Sequence, residues 1–310
     1  MDALLLLIGL ALILGGANYL TDGAAAIAKR FNISEFIVGL TIVAIGTSMP
    51  EMVVSVISAL EGHGEIAVGN VVGSNMFNTY VILGICALIR PMAITKNNVK
   101  RDIPIGILAS AVLLLVTHSG VIPQAYGALM VLIYFALMLY SIRASRKDAH
   151  LDEPMESHEG EMKPWVATLL VVGGLGGLVY GGELFLGSAV SIAEKFGIPQ
   201  NIIAITLVAG GTSLPELAAS LVSLMKGKND IALGNVLGSN IANIFLVIGA
   251  SATITPITLG AITIIDLLVV ALGSVLLLVA AFTFKKNMLD RVEAAIFLLI
   301  FGGYMFWLIG

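Results

Sequence analysis

The chain is poor in the groups that soluble proteins use for chemistry and solubility. It has one cysteine, Cys86, which excludes an intrachain disulfide and any cluster of thiolate metal ligands. Only 12% of its 310 residues are charged, about half the share usual in soluble domains. Four histidines leave little imidazole for zinc or copper. The first apolar run, MDALLLLIGLALILGG, has no basic segment before it and no small-residue cleavage site. It therefore reads as a retained first span and not as a signal peptide. The formal net charge of −4 carries little information, and no nucleic-acid partner is expected.

What the chain has in abundance is apolar sequence, at 58% of residues and a mean hydropathy of +1.01. The apolar residues fall in runs near 20, about the length that crosses 30 Å of hydrocarbon. The expectation is an all-α membrane protein with ten transmembrane helices, near 3–28, 34–60, 65–89, 103–118, 121–143, 164–194, 199–225, 230–254, 259–282 and 291–309. The fourth is short and carries Pro104 near its start. Threading these spans puts every Lys and Arg except Lys195 on one side of the membrane. Basic residues mark the cytoplasmic face, so both termini are expected outside, in a protein of the cell membrane with the lipid bilayer as its solvent. The polar stretch 144–163 is expected as a cytoplasmic linker; its acidic residues Asp152, Glu153, Glu156, Glu159 and Glu161 lack the spacing of a calcium loop.

The sequence repeats itself. Residues 39–78 align without a gap to 204–243 at an offset of 165, with half of the positions identical. GTSMPE (46–51) matches GTSLPE (211–216), and AVGNVVGSNMFN matches ALGNVLGSNIAN. The chain therefore reads as two halves, 1–143 and 164–310. Five spans is an odd number, so the second half enters the membrane inverted. Inverted repeats place a shared site near the midplane, built from broken helices.

Pro50 lacks a backbone donor and clashes with the carbonyl four residues back, that of Gly46; Pro215 does the same to Gly211. The expectation is a break near 44–48 and its repeat mate. Thr47, Ser48 and Glu51 share one helix face at spacings of three and four, as do Thr212, Ser213 and Glu216. Ser55 and Ser58, matched by Ser220 and Ser223, extend the stripe; these four fit backbone-bonded serines as well as a water-lined path. In the next span Ser74 and Asn78 are matched by Ser239 and Asn243. The donors are all oxygen, the preference of Ca²⁺ and Na⁺. Gly69, Gly73, Gly234 and Gly238 read as helix-packing positions. Two ionisable groups near mid-bilayer, at matching repeat positions beside prolines, read as functional, because such groups are costly there. Asp22 and Glu183 are further acids within spans, fit either to line a route or to pair with lysines. Asp266 falls near the outer end of its span, and His63 in an outside loop.

At these motifs the sequence resembles the cation/calcium exchanger superfamily, and within it the prokaryotic sodium/calcium exchanger-like antiporters. The resemblance covers the whole chain. It implies a fold in which spans 2, 3, 7 and 8 enclose the ions while the long spans 1 and 6 slide across them. It implies ligands at Ala44 (carbonyl), Thr47, Ser48, Glu51, Ser74 and Asn78, and at Ala209 (carbonyl), Thr212, Ser213, Glu216, Ser239 and Asn243. Asn243 departs from the aspartate of several relatives, leaving one fewer anion, and Gly210 replaces a larger apolar residue. The expected function is secondary active exchange of Ca²⁺ for Na⁺ by alternating access, with no cofactor and with a monomer sufficient for transport. Ca²⁺/H⁺ antiport is the alternative, and a passive cation channel the alternative from another class. No base accompanies the hydroxyls and no zinc-ligand helix is present, so an enzyme is not expected.

Overall fold

The computed structural model describes residues 2–149, 162–196 and 209–309. The acidic residues 152–161 and the start of the predicted seventh span lie outside the described residues. Helices occupy most of the described chain: α1 (Asp2–Phe31), α2 (Glu35–Thr47), α3 (Met49–Leu60), α4 (Gly64–Ile89), α5 (Ile103–Thr117), α6 (Gln124–Ala149), α7 (Pro164–Lys195), α8 (Leu214–Met225), α9 (Asn229–Ile254), α10 (Ile264–Ala280) and α11 (Arg291–Ile309). A single turn, Ala209–Gly211, precedes α8.

Length and hydropathy admit six of the described helices as membrane crossings, or seven if α2 and α3 form one broken span. Ten were expected. Two of the missing crossings follow from length, since α5 and α10 have 15 and 17 residues, and the span expected at 199–225 is described only from Ala209 onward. At about 1.5 Å per residue α5 and α10 fall short of a 30 Å crossing. Pro104 sits in the first turn of α5, where its missing N–H has no partner to lose.

The chain divides into two compact units, and neither follows the sequence halves. Unit 1 is residues 1–49 with 137–235; unit 2 is 50–136 with 236–310. Each unit draws on both repeats.

In unit 1, α1 and α7 run antiparallel along a glycine seam. A Cβ on Gly9 would lie 2.8 Å from the Gly181 carbonyl oxygen, one on Gly16 2.7 Å from that of Gly174, and one on Gly23 2.7 Å from that of Ala167. The contacts recur every seven residues on both helices, so one stripe faces the partner along the full length. Small residues allow this backbone approach where lipid offers no hydrophobic drive to associate. The other face of α1 exposes Leu4, Leu7, Ile8 and Leu14, as a lipid-facing helix must. Behind the seam, Ala17, Leu20 and Ala24 of α1 join Val38, Val43, Ala218 and Ala219 in the core of the unit. Further along, Gly39 of α2 meets Ile231 of α9 and Gly234 meets Phe36, again antiparallel and again within 2.5 Å of a carbonyl oxygen for a built Cβ.

In unit 2, Tyr80 of α4 donates its hydroxyl to Val269 O of α10 at 2.7 Å and sets its ring edge-on to Phe297 of α11. Two short antiparallel ribbons tie the connections together. Strand β1 (Met92–Ala93) pairs with β4 (Met288–Leu289), and β2 (Val121–Ile122) pairs with β3 (Ile257–Thr258). The repeat offset carries 92–93 onto 257–258. Mates β1 and β3 therefore each take a partner from the opposite half. Asp266 closes a capping box with Thr263 at the start of α10 and accepts the Tyr304 hydroxyl at 2.6 Å, a structural role. Of the four glycines read as packing positions, Gly234 fulfils that reading, whereas Gly73 faces open space.

Candidate functional site

The helix breaks where the sequence predicted. Between α2 and α3 the single residue Ser48 has φ −82° and ψ 9°, and before α8 Ser213 has φ −88° and ψ 8°. Both sit in the sparsely allowed bridge region. Pro50 and Pro215 follow as the second residues of α3 and α8, where a missing donor is tolerated. The break is closed on itself in the first repeat: Ser48 N–H returns to Ala44 O at 3.0 Å, so that carbonyl, one of the expected ligands, already accepts one hydrogen bond.

Unit 1 holds the first-repeat hydroxyls and the second-repeat carboxylate. Ser48 Oγ donates to Glu216 Oε1 at 3.0 Å. Thr47 Oγ1 lies 3.1 Å from Asn235 Oδ1 and 3.3 Å from Ala44 O. Asn235 Nδ2 donates to Ser220 Oγ at 2.9 Å and to Glu216 O at 3.3 Å. Thr47, Ser213, Glu216, Ser220 and Asn235 are fully buried. Thr212 is half-buried, and Ala209 opens the turn before it. Ser223 bonds the Thr21 hydroxyl of α1 at 2.9 Å, and Lys226 forms an ion pair with Asp22 at 2.6 Å. Those bonds give Ser220 and Ser223 protein partners, and they resolve Asp22 in favour of a lysine partner. Glu183 is exposed.

Unit 2 holds the first-repeat carboxylate. Glu51 is fully buried, with Ser74 Oγ 3.5 Å from Oε1. Asn70 Nδ2 donates to Glu51 O at 3.2 Å and to Ser55 Oγ at 3.0 Å, the same pair of bonds that its repeat mate Asn235 makes. Asn78, Ser239 and Asn243 are fully buried as well. Asn243 Nδ2 donates to Asn75 Oδ1 at 3.1 Å, Asn75 to Asn240 O at 3.3 Å, and Asn240 to Thr79 Oγ1 at 2.7 Å. Asn78 sits in one π-helical turn, Phe77–Ile82, and Asn243 opens its repeat mate, Asn243–Ile248. Such turns insert a residue into the helix and recur at functional sites.

Several oxygens in unit 2 have no hydrogen-bond partner among the described residues: Asn78 Oδ1, Ser239 Oγ, Asn240 Oδ1 and Asn243 Oδ1. A buried acceptor left unsatisfied costs about 1–3 kcal/mol, and these four oxygens, with Asn78 Nδ2, lie on α4 and α9. Among the described residues no group of three or more His, Cys, Asp or Glu could hold a metal. A cation held at either carboxylate would have hydroxyl, amide and carbonyl oxygens for the rest of its shell, donors that suit a hard cation.

The sequence reading missed Asn70, Asn235, Asn75 and Asn240. All four lie inside the repeated GNVVGSN and GNVLGSN strings, and their exact repetition was the available signal.

The family model described as "Sodium/calcium exchanger protein" matches residues 1–143 and 166–310. The chain belongs to the sodium/calcium exchanger family. CaxA of Alkalimonas amylolytica is 38% identical to this family member over 97% of each chain. The sodium/calcium exchanger MaX1 of Methanosarcina acetivorans is 34% identical over 82% of this chain and 83% of its own. Among solved structures, the sodium-calcium exchanger NCX_Mj soaked with zero Na⁺ and Ca²⁺ superposes with a TM-score of 0.87 at 28% identity, covering 99% of this chain and 98% of that one. The protein is thus an integral membrane transporter of an exchanger family and not a member of an enzyme family.

Proposed function

We propose that this exchanger moves Ca²⁺ against Na⁺ by alternating access, with Glu51 and Glu216 as the principal ligands. One observation carries the reading. In each repeat a fully buried carboxylate stands in the first turn after a helix break and takes a serine hydroxyl: Glu216 from Ser48, Glu51 from Ser74. An ionised group at membrane depth costs at least about 2.5–3.5 kcal/mol on insertion scales. Two such anions make the empty protein costly to carry through an occluded state. One Ca²⁺ or several Na⁺ lower that cost, and a transition allowed only when filled couples the two fluxes. Thr47, Ser48, Ser74 and Asn78, with Thr212, Ser213, Ser239 and Asn243 and the carbonyls of Ala44 and Ala209, complete the oxygen shells.

Ten spans in two inverted halves, 1–143 and 164–310, remain the topology of this proposal. The antiparallel seam of the repeat mates α1 and α7 supports inversion, and so does the exchange of partners between β1 and β3. The basic residues put both termini outside. The glycine seam packs α1 closely against α7, which supports their moving together as gates. The names of MaX1 and NCX_Mj support Na⁺ as the counter-ion.

The test is Ca²⁺ flux in proteoliposomes under an imposed Na⁺ gradient, then under a pH gradient alone. Flux with the first is expected. Flux with the second only would move the reading to Ca²⁺/H⁺ antiport, which Asn243 favours by removing one anion. Flux without any counter-ion would point to a channel.

A further inference from the structure

We infer that Asn235 is a positioning residue that fixes the hydroxyl proton of Thr47, so that the threonine oxygen presents its lone pairs to the transported cation. The inference rests on the exchanger reading above and adds a residue to it.

The argument starts from the amide. Asn235 is fully buried, and its Nδ2 has two acceptors, Ser220 Oγ at 2.9 Å and Glu216 O at 3.3 Å. An amide nitrogen has two protons to give, and both are taken. Turning the amide over would set Oδ1 against the Glu216 carbonyl oxygen, acceptor against acceptor. The edge facing Thr47 is therefore Oδ1, at 3.1 Å. That oxygen cannot donate, so Thr47 must. The other acceptor in reach, Ala44 O, is farther at 3.3 Å and already takes the Ser48 N–H at 3.0 Å.

A hydroxyl has one proton and two lone pairs. It binds a cation only through oxygen, with the proton turned away. In water Thr47 would rotate freely and lose that arrangement. Asn235, 188 residues along the chain in the other repeat, holds it in advance. The same amide orientation is built a second time: Asn70 donates to Glu51 O and Ser55 Oγ at 3.2 and 3.0 Å.

Partners of this kind, which orient a ligand without touching the ion, typically change metal affinity by about 10–100-fold when removed. The experiment measures Ca²⁺ half-saturation in reconstituted full-length protein, by flux and by the Ca²⁺-dependent rise in unfolding temperature, for wild type, Asn235→Ala, Thr47→Ala and the double variant. Asn235→Ala is expected to raise the half-saturation concentration about tenfold. The double variant is expected to be no weaker than the weaker single one, because both changes act through one oxygen. Should Asn235→Ala not yield folded protein, Asn235→Leu keeps the branched heavy-atom shape while removing the acceptor and the two donated bonds, with the same expectation.

A purely structural Asn235 would lower the unfolding temperature without Ca²⁺ and leave half-saturation unchanged. That outcome, or single effects that multiply in the double variant, overturns the inference. Wild-type protein that neither binds nor moves Ca²⁺ overturns the exchanger reading and this inference with it. A wild-type response that Asn235→Ala leaves intact overturns this inference alone.

Discussion

Glu51 and Glu216 each combine full burial with a place in the first turn of a helix that starts after a break. The N-terminal end of a helix favours negative charge by its dipole, so the break does two things at once: it ends one helix and gives the carboxylate a partly compensated position. Replacing either glutamate by glutamine keeps the shape and removes the charge. Glu51→Gln and Glu216→Gln are each expected to reduce Ca²⁺ exchange in proteoliposomes to the background of empty vesicles, while the protein still elutes as a folded species in detergent. Exchange at the wild-type rate in a folded Glu51→Gln protein would contradict the proposed ligand role. These residues were legible in the sequence because an acid, a proline and two hydroxyls recur together at one offset. Asn70 and Asn235 were not, because an asparagine inside an apolar helix gives no sign of which carbonyl and which hydroxyl it will join. Their partners come from the adjoining helix and, for Thr47, from the other repeat.

At the level of elements, helices occupy the described residues of the expected spans, but only six of them, or seven with α2 and α3 as one broken span, are long and apolar enough to cross a membrane. The π-helical turns at Asn78 and Asn243 had no counterpart in the sequence reading, since a single added residue leaves no periodic trace in an all-apolar run. The glycine seam of α1 and α7 escaped for another reason: it lies outside the aligned repeat, and glycine at every seventh position is diluted by glycines that face open space. The contrast between neighbours tests the seam. At Gly16 a side chain would meet backbone of α7 at 2.7 Å, whereas at Gly15 it would meet nothing within 4 Å. Gly16→Leu is expected to cost about 1–3 kcal/mol through forced separation of the helices and to lower the unfolding temperature measurably. Gly15→Leu is expected to leave it within a degree or so of wild type, a small surface effect. Equal effects from the two would show that the seam does not hold the pair together.

For the whole molecule, the ribbons offer a direct reading of orientation. Ala93 and Thr258 are repeat mates, both exposed, and Val121 pairs with Thr258. The one native thiol, Cys86, is buried and gives a low background. With a membrane-impermeant thiol reagent, Ala93→Cys is expected to label only from the cytoplasmic side, and Thr258→Cys or Val121→Cys only from outside. Labelling of Ala93→Cys and Thr258→Cys from the same side would rule out inversion. The two units also bear on how the chain is made. Neither half of the sequence contains a complete unit, and the bonds that knit them, such as Ser48 to Glu216 and Asn243 to Asn75, join residues 168 apart. At synthesis rates of about 5–20 residues per second, the first half waits on the order of ten seconds or more in the membrane before its partners emerge. Expressed alone, residues 1–149 are expected to be degraded; co-expressed with 162–310 as a separate chain, they are expected to be recovered together by affinity capture. What was duplicated is a stretch of gene, but what gains stability is a set of pairings that only two copies can make. A single ancestral half would have had to find a second molecule of itself before it could fold.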